Sequence, residues 1–233
     1  MERNLSAIVV AAGRGSRMGT KESKQFLELG GRPLFLRAIE AFGRFDATAE
    51  IIVVTGEADV ERCRRYIEQA GCLRVKTVVA GGTERQHSVY QGLKQASSPW
   101  VMVHDGVRPF IRVEDIESCY GEMLRTGAAV LAVPVKDTIK TVGGDGMIVD
   151  TPNRSLLWAI QTPQGFRTEE LLRAHEQAAG EGFVGTDDSM LIERLGVTVS
   201  VARGDYTNIK ITTPEDLDYA EFLIRSERKE TES

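Results

Sequence analysis

The sequence predicts an α/β protein: a Rossmann-like, mostly parallel sheet with helices on both faces, plus an inserted β-hairpin arm. Three observations carry this. Short apolar, β-branched runs without polar alternation, at residues 7–10, 51–54 and 128–133, match central strands covered on both faces. Stretches of helical period separate them, and successive βα units imply right-handed crossovers and parallel pairing. Finally, two strand-like runs flanking Gly143-Gly-Asp-Gly146 interrupt that rhythm as a hairpin would.

The first strand, residues 7–10, leads into AAGRGSRMG. Its small residues and three glycines let backbone N–H groups approach an anion, while Arg14, Arg17, Lys21 and Lys24 supply four cations against one acid, Glu22. This reads as a polyphosphate cradle; the bland alternative is a strand-to-helix turn with a solvated basic rim. A Walker loop is excluded by spacing, because the fifth positions after Gly13 and Gly15 are Met18 and Thr20. The dinucleotide fingerprint also fails: Met18 replaces its last glycine, and the second strand ends in Thr55-Gly56, not in a ribose-binding acid.

After the Gly30-Gly31 turn, Pro33 suits the start of a helix whose Leu34, Phe35, Leu36, Ile39, Phe42 and Phe45 form an apolar stripe. A strand at 51–54 follows, then a helix over 58–70 ended by Gly71, and a third strand over 74–80. Gly81-Gly82-Thr83-Glu84-Arg85-Gln86-His87-Ser88 opens the next helix. Thr83 and Gln86 have capping-box spacing, and the glycine pair offers bare backbone to a flat ligand.

A fourth strand, 100–103, ends in His104-Asp105-Gly106-Val107-Arg108-Pro109. A carboxylate at the end of a parallel strand stands where open α/β sheets bind ligands, so Asp105 reads either as a Mg²⁺ ligand or as an Asp-Gly turn residue. Residues 11–13, 81–82 and 105 are three strand ends aimed at one crevice. A helix over 113–126 and a strand over 128–133 precede the hairpin of residues 137–151, which reads as a lid or an arm toward a partner.

The stretch from Asn153-Arg154 through Gln161-Thr-Pro-Gln-Gly-Phe166 reads as too punctuated for a regular element. Helices are expected over 168–179 and over 187–195, the second capped by Thr186, and strands over 197–202 and 206–211. Thr213-Pro214-Glu215-Asp216 starts the last helix, and residues 227–233 end a charged, frayed tail. The organisation expected is a single domain over residues 1–226.

Composition narrows the function classes. At 233 residues with 42% hydrophobic and 27% charged content, the chain can bury a substantial core. A net charge of −5 argues against a broad nucleic-acid surface, so the cations at 14–24 should serve a local anion. No stretch has the length of a membrane span, and the N-terminal apolar run is too short for a signal peptide. Cys63, Cys72 and Cys119 show no CxxC spacing and read as ordinary thiols, and the expected location is cytoplasmic. The scattered His87, His104 and His175 give no support to a histidine metal cage.

Taken together, AAGRGSRMG with SKQ, GGTERQHSV, HDGVRPF, DTIK, QTPQGF and NIKITTPEDL resemble, in order and over nearly the whole chain, the 2-C-methyl-D-erythritol 4-phosphate cytidylyltransferases. The resemblance implies transfer of CMP from CTP to methylerythritol phosphate, in the non-mevalonate isoprenoid pathway, with Mg²⁺ and a homodimer exchanging its hairpin arms. By motif, it puts the catalytic cations on Arg17 and Lys24. It puts acceptor positioning on Arg154, Lys210, Arg108 and Thr138, CTP contacts on Ala11, Ala12, Gly13, Gly82, Thr83 and Ser88, and the metal carboxylate on Asp105. Three departures stand out: Ser23 where proline is frequent, Thr83 where some relatives carry aspartate, and Gly106-Val107 in place of two small residues. Three other readings share the motifs or the fold: a ribitol 5-phosphate cytidylyltransferase, a sugar-phosphate nucleotidyltransferase using another nucleotide, and a nucleotide-sensing module without catalysis. Asn153-Arg-Ser-Leu-Leu-Trp158 and Arg85-Gln-His-Ser88 favour methylerythritol phosphate over ribitol phosphate.

Overall fold

A computed structural model of the chain describes residues 2–13 and 23–231, with backbone alone for 227–231. Arg14, Arg17 and Lys21 lie outside the described residues.

Seven strands form the central sheet: β1 (Leu5–Ala11), β4 (Thr48–Thr55), β5 (Val75–Ala80), β6 (Trp100–Asp105), β7 (Ala128–Pro134), β10 (Trp158–Arg167) and β11 (Ser200–Arg203), in the order β11-β7-β10-β6-β1-β4-β5. Pairing is parallel except at β10, which runs antiparallel to both β6 and β7. The unalternated apolar runs have the expected cause. Along β1, Ala7, Val9 and Ala11 face one hydrophobic layer and Ile8 the other. The first layer is covered by α1 (Leu34–Arg44), α2 (Val60–Gln69) and α4 (Val113–Thr126), the second by α3 (Arg85–Leu93), α5 (Thr168–Gly180) and α6 (Asp188–Arg194). A third cluster, including Leu29, Leu34, Phe110, Ile211, Ala220 and Ile224, seats α7 (Pro214–Thr231) beside the strand ends.

Packing of the second layer is close at Gly92. A Cβ there would stand 2.7 Å from Ile8 Cγ2 and 3.0 Å from Val54 Cγ2, so α3 reaches the sheet only because this residue has no side chain. Gly92→Val should destabilise the fold by about 2 kcal/mol, within the range for overpacked cores, read as a lower urea midpoint at unchanged slope.

Several elements differ from expectation. Residues 161–166, read as irregular, lie inside the ten-residue strand β10. Their polar side chains look like loop residues but are buried because each finds a partner: Gln161 Nε2 donates to Asp205 O (2.9 Å), and Gln164 Nε2 to Asp187 Oδ2 (2.8 Å). Residues 206–211, read as a strand, are a turn and irregular chain, because Asp205 Oδ1 accepts from both Thr207 N and Thr207 Oγ1 at 2.7 Å. The strand read at 197–202 is confined to Ser200–Arg203. Asp187, rather than Thr186, caps α6, its Oδ1 accepting from Met190 N at 3.0 Å.

Nor does the Thr83/Gln86 capping box form. Gln86 turns away to bond Phe183 O (3.0 Å) and Gly185 N (2.8 Å), and Thr83 Oγ1 meets His87 Nδ1 at 2.9 Å. The tail read as frayed extends α7 to Thr231. The hairpin's paired strands, β8 (Thr141–Val142) and β9 (Ile148–Asp150), form a separate two-stranded sheet, shorter than the runs in the sequence. The two remaining strands, β2 (Glu28–Leu29) and β3 (Arg32–Pro33), make a small ribbon around the Gly30-Gly31 turn.

Candidate active site

The chain proceeds from β1 outward to β4 and β5, then returns to lay β6 on the other side of β1. That reversal opens a crevice at the carboxyl ends of β1 and β6, the place where such sheets bind ligands. The cavity there has a volume of about 1060 Å³. Ala11, Ala12, Gly13, Lys24, Gly82, Thr83, Ser88, Asp105 and Lys210 line it, so the predicted nucleotide contacts and metal carboxylate meet in one place. Arg108, Thr138 and Arg154 do not line it, and Arg17 lies outside the described residues.

Local folding explains each placement. Lys24 opens a short 3-10 turn, Lys24–Phe26, whose Phe26 is buried against Phe35 (ring centroids 5.5 Å apart) and beneath the Arg62 guanidinium (4.2 Å). The Lys24 stem packs beside Gly13, where a Cβ would lie 3.7 Å from Lys24 Cε. The glycine pair has a packing cause beyond ligand access. A Cβ on Gly81 would meet Ser88 Oγ at 2.5 Å and Ala12 Cβ at 2.9 Å, and one on Gly82 would meet His87 Cβ at 2.4 Å. Ser88 Oγ accepts from Gly82 N and donates to Glu84 O, both at 3.1 Å. With its proton thus committed, Ser88 can meet a base only as an acceptor.

Asp105 is the electrostatic centre. Its Oδ1 accepts from Arg85 Nε at 3.0 Å, its Oδ2 pairs with Lys210 Nζ at 2.7 Å, and Arg108 Nε stands 3.9 Å from Oδ2. Burial alone would raise its pKa, but Arg85, then Lys210 and Arg108, hold it well below the usual carboxylate range. Arg108 itself is anchored elsewhere, its Nη1 donating to Asn208 O at 2.7 Å.

Beneath this carboxylate, His104 Nε2 meets Arg108 O at 3.1 Å and its Nδ1 meets Thr162 Oγ1 at 3.1 Å. A carbonyl only accepts, so Nε2 carries the hydrogen and Nδ1 accepts from the Thr162 hydroxyl, which in turn accepts from Asp105 N at 3.0 Å. Burial pushes His104 down to about 4, against the pull of its bonds and of Asp105 toward the charged form. Between the ordinary value of 6.5 and about 4, the unfolded chain therefore binds a proton that the folded chain does not. Stability contributed by neutral His104 is complete above pH 6.5 and is lost as pH falls toward 4, by roughly 3 kcal/mol. Urea midpoints measured from pH 7 to pH 4 should fall steeply in the wild type and less in His104→Gln.

Sequence reasoning used Arg85 only as part of a motif and missed both its ion pairs and Asp188. Arg85 Nη1 donates to Asp188 Oδ2 at 2.8 Å, and His175 Nε2 stands 3.5 Å from Asp188 Oδ1. No spacing announces a pair 103 positions apart in the chain. Gln25, Glu57 and Asp59, which complete the crevice wall, were equally silent.

Among the described residues no helix is long and apolar enough to cross a membrane. The profile of the 2-C-methyl-D-erythritol 4-phosphate cytidylyltransferase family matches residues 5–226. The protein of that name from Geobacillus kaustophilus is 46% identical over 228 residues, 97% of this chain and 100% of that protein. Among solved structures, the 4-diphosphocytidyl-2C-methyl-D-erythritol synthase of Anaerococcus prevotii is 34% identical with a TM-score of 0.85, covering 95% of this chain and 96% of its own. The 2-C-methyl-D-erythritol 4-phosphate cytidylyltransferase of Thermus thermophilus is 33% identical with a TM-score of 0.78, covering 94% and 98%. By its profile match and its full-length relatives, the chain belongs to the 2-C-methyl-D-erythritol 4-phosphate cytidylyltransferase family.

Proposed function

We propose that the crevice at the ends of β1 and β6 carries out the family reaction, transfer of CMP from CTP to 2-C-methyl-D-erythritol 4-phosphate with release of pyrophosphate. The observation that carries the reading is the convergence of Gly13, Lys24, Gly82, Ser88, Asp105 and Lys210 on one cavity. Ala11, Ala12 and Gly13 present backbone to the nucleotide, with Gly82, Thr83 and Ser88 on the opposite wall. A phosphate oxygen of the acceptor, already ionised, attacks the α-phosphorus in line with the departing pyrophosphate. Lys24 and Arg17 meet the charge that gathers on the phosphoryl oxygens, so no covalent intermediate is required. Lys210, helped by Arg108, holds the acceptor phosphate beside the nucleotide against their mutual repulsion.

Asp105 suits Mg²⁺. Among the described residues no group of three or more His, Cys, Asp or Glu side chains converges. One carboxylate is still enough, since this cation is held largely by substrate phosphates and water. Bound there, Mg²⁺ would neutralise charge on the triphosphate.

The protein works as a cytoplasmic homodimer of single domains spanning residues 1–226, with the 137–151 arm reaching the other subunit. Met147, Ile148 and Val149 on the hairpin and Leu156 at its root are more than three-fifths exposed, apolar surface that a partner would cover. Thr138 and Arg154, at the two roots of the arm and outside the lining of their own crevice, would complete the partner's acceptor site. The free thiols of Cys63, Cys72 and Cys119 suit a reducing compartment.

The test supplies CTP and Mg²⁺ with methylerythritol phosphate or ribitol 5-phosphate and follows pyrophosphate. Release with the first acceptor is expected. Turnover with ribitol phosphate alone would reassign the acceptor, and nucleotide binding without pyrophosphate release would mark a sensor.

A further inference from the structure

Three cations surround Asp105, yet they are not equivalent. Lys210 is two-fifths exposed, and Arg108 is 3.9 Å from the carboxylate with its Nη1 bonded to Asn208 O. Only Arg85 is fixed at both ends by carboxylates, Asp105 on one side and Asp188 on the other.

Asp188 is itself rigidly held. It is 1% exposed, its backbone N–H donates to Gln164 Oε1 at 3.1 Å, and the N–H of Ser189 does the same. Gln164 lies on β10, so the start of α6 is pinned to the sheet at the point where Asp188 grips Arg85. The neighbouring Gln86, bonded to Phe183 O and Gly185 N, ties the first turn of α3 to the same segment. Burial works against the Arg85 charge, but Asp188 and then Asp105 more than restore it. Asp188, which burial would raise, is held below the ordinary range by Arg85 and then His175. A charged chain thus runs from α6 through Arg85 to the crevice. Asp188 does not line the crevice.

We propose that Arg85 and Asp188 are positioning residues for Asp105: Asp188 fixes one arm of the Arg85 guanidinium, so that the other clamps Oδ1 of Asp105 and leaves Oδ2 turned to the crevice and Lys210. A planar guanidinium can hold two carboxylates at fixed angles, which an ammonium cannot. Without the clamp, the carboxylate is held through Oδ2 alone by Lys210, and part of the population rotates away from the productive direction.

This inference rests on the reaction proposed above, and the two fail separately: wild-type pyrophosphate release tests the reaction, and a double-mutant cycle tests the clamp. Asp188→Asn, which keeps shape and removes charge, should lower kcat about 10-fold, with both KM values within about 3-fold of wild type, a loss on the scale of small misplacements transmitted from outside the chemistry. In an Asp105→Asn background, assayed at raised enzyme concentration, the same change should cost less than about 2-fold, because the group being positioned is already altered. Arg85→Lys carries the same cycle if Asp188→Asn fails to fold by circular dichroism. A kcat within about 2-fold of wild type in the folded variant, or a full 10-fold loss retained in the Asp105→Asn background, overturns the positioning role.

Discussion

Lys24→Ala should reduce kcat by about 10²-fold or more while leaving the melting temperature close to wild type, and Arg17→Ala should do the same, the scale of loss when one transition-state donor is removed. The structural grounds are firm for Lys24. Phe26 anchors its turn in the core, and truncation of Lys24 to Ala keeps that anchor. The stem lies beside Gly13, and both residues line the crevice. For a group that stabilises charge developing in the transition state, the loss falls on kcat rather than on the KM of CTP alone. Steady-state pyrophosphate release over a CTP series separates the two. A variant that loses only affinity would make Lys24 a ground-state binder.

Subunit complementation should show an effect of comparable size in the opposite direction. Lys24→Ala and Arg154→Ala proteins, each inactive alone, should regain roughly a quarter of wild-type activity when mixed equally and allowed to exchange. Random reassortment makes half the dimers mixed, and one of the two sites in each mixed dimer inherits neither lesion. The expectation follows from Lys24 lining its own crevice while Arg154, bonded through Nη1 to Lys136 O at 2.8 Å, does not. Mass measurement or a tagged pull-down must show exchange. Mixed dimers that form and stay inactive would assign Arg154 to its own subunit and remove the shared site.

How much of this was legible in the sequence depended on whether a residue's role is local. The strand at 7–10 could be read because burial on both faces leaves a pattern within a few residues, and the strand ends at 11–13, 81–82 and 105 line one crevice as expected. Strand β10 could not, because its inward positions carry Gln161, Thr162 and Gln164, whose partners Asp205, Asp105 and Asp187 come from distant segments. Read alone, such side chains look solvated; in place, each completes a hydrogen bond that would otherwise be orphaned. The opposite error arose at 206–211, where apolar residues at strand spacing sit in a turn set by Asp205. That turn delivers Lys210 to Asp105, so a misread element still carried a correctly placed residue. The pairing of Arg85 was invisible for a third reason. Its two carboxylates are 20 and 103 residues away, and only the folded sheet brings them to one guanidinium.

Strands β7 and β10 are neighbours, with Pro134 opposite Trp158 and the ladder extended by Val135 N to Leu157 O at 3.0 Å. From the sheet's side, everything between those residues is therefore one hairpin loop whose ends are already joined. The entropy of closing such a loop grows only slowly with its length, so lengthening, shortening or rewriting the arm places little strain on the register beneath it. Apart from Thr138 and Arg154 at its roots, sequence drift in the arm is thus decoupled from the fold and answerable to whatever surface it meets. Two lineages could diverge in how their subunits pair while keeping the same crevice residue for residue.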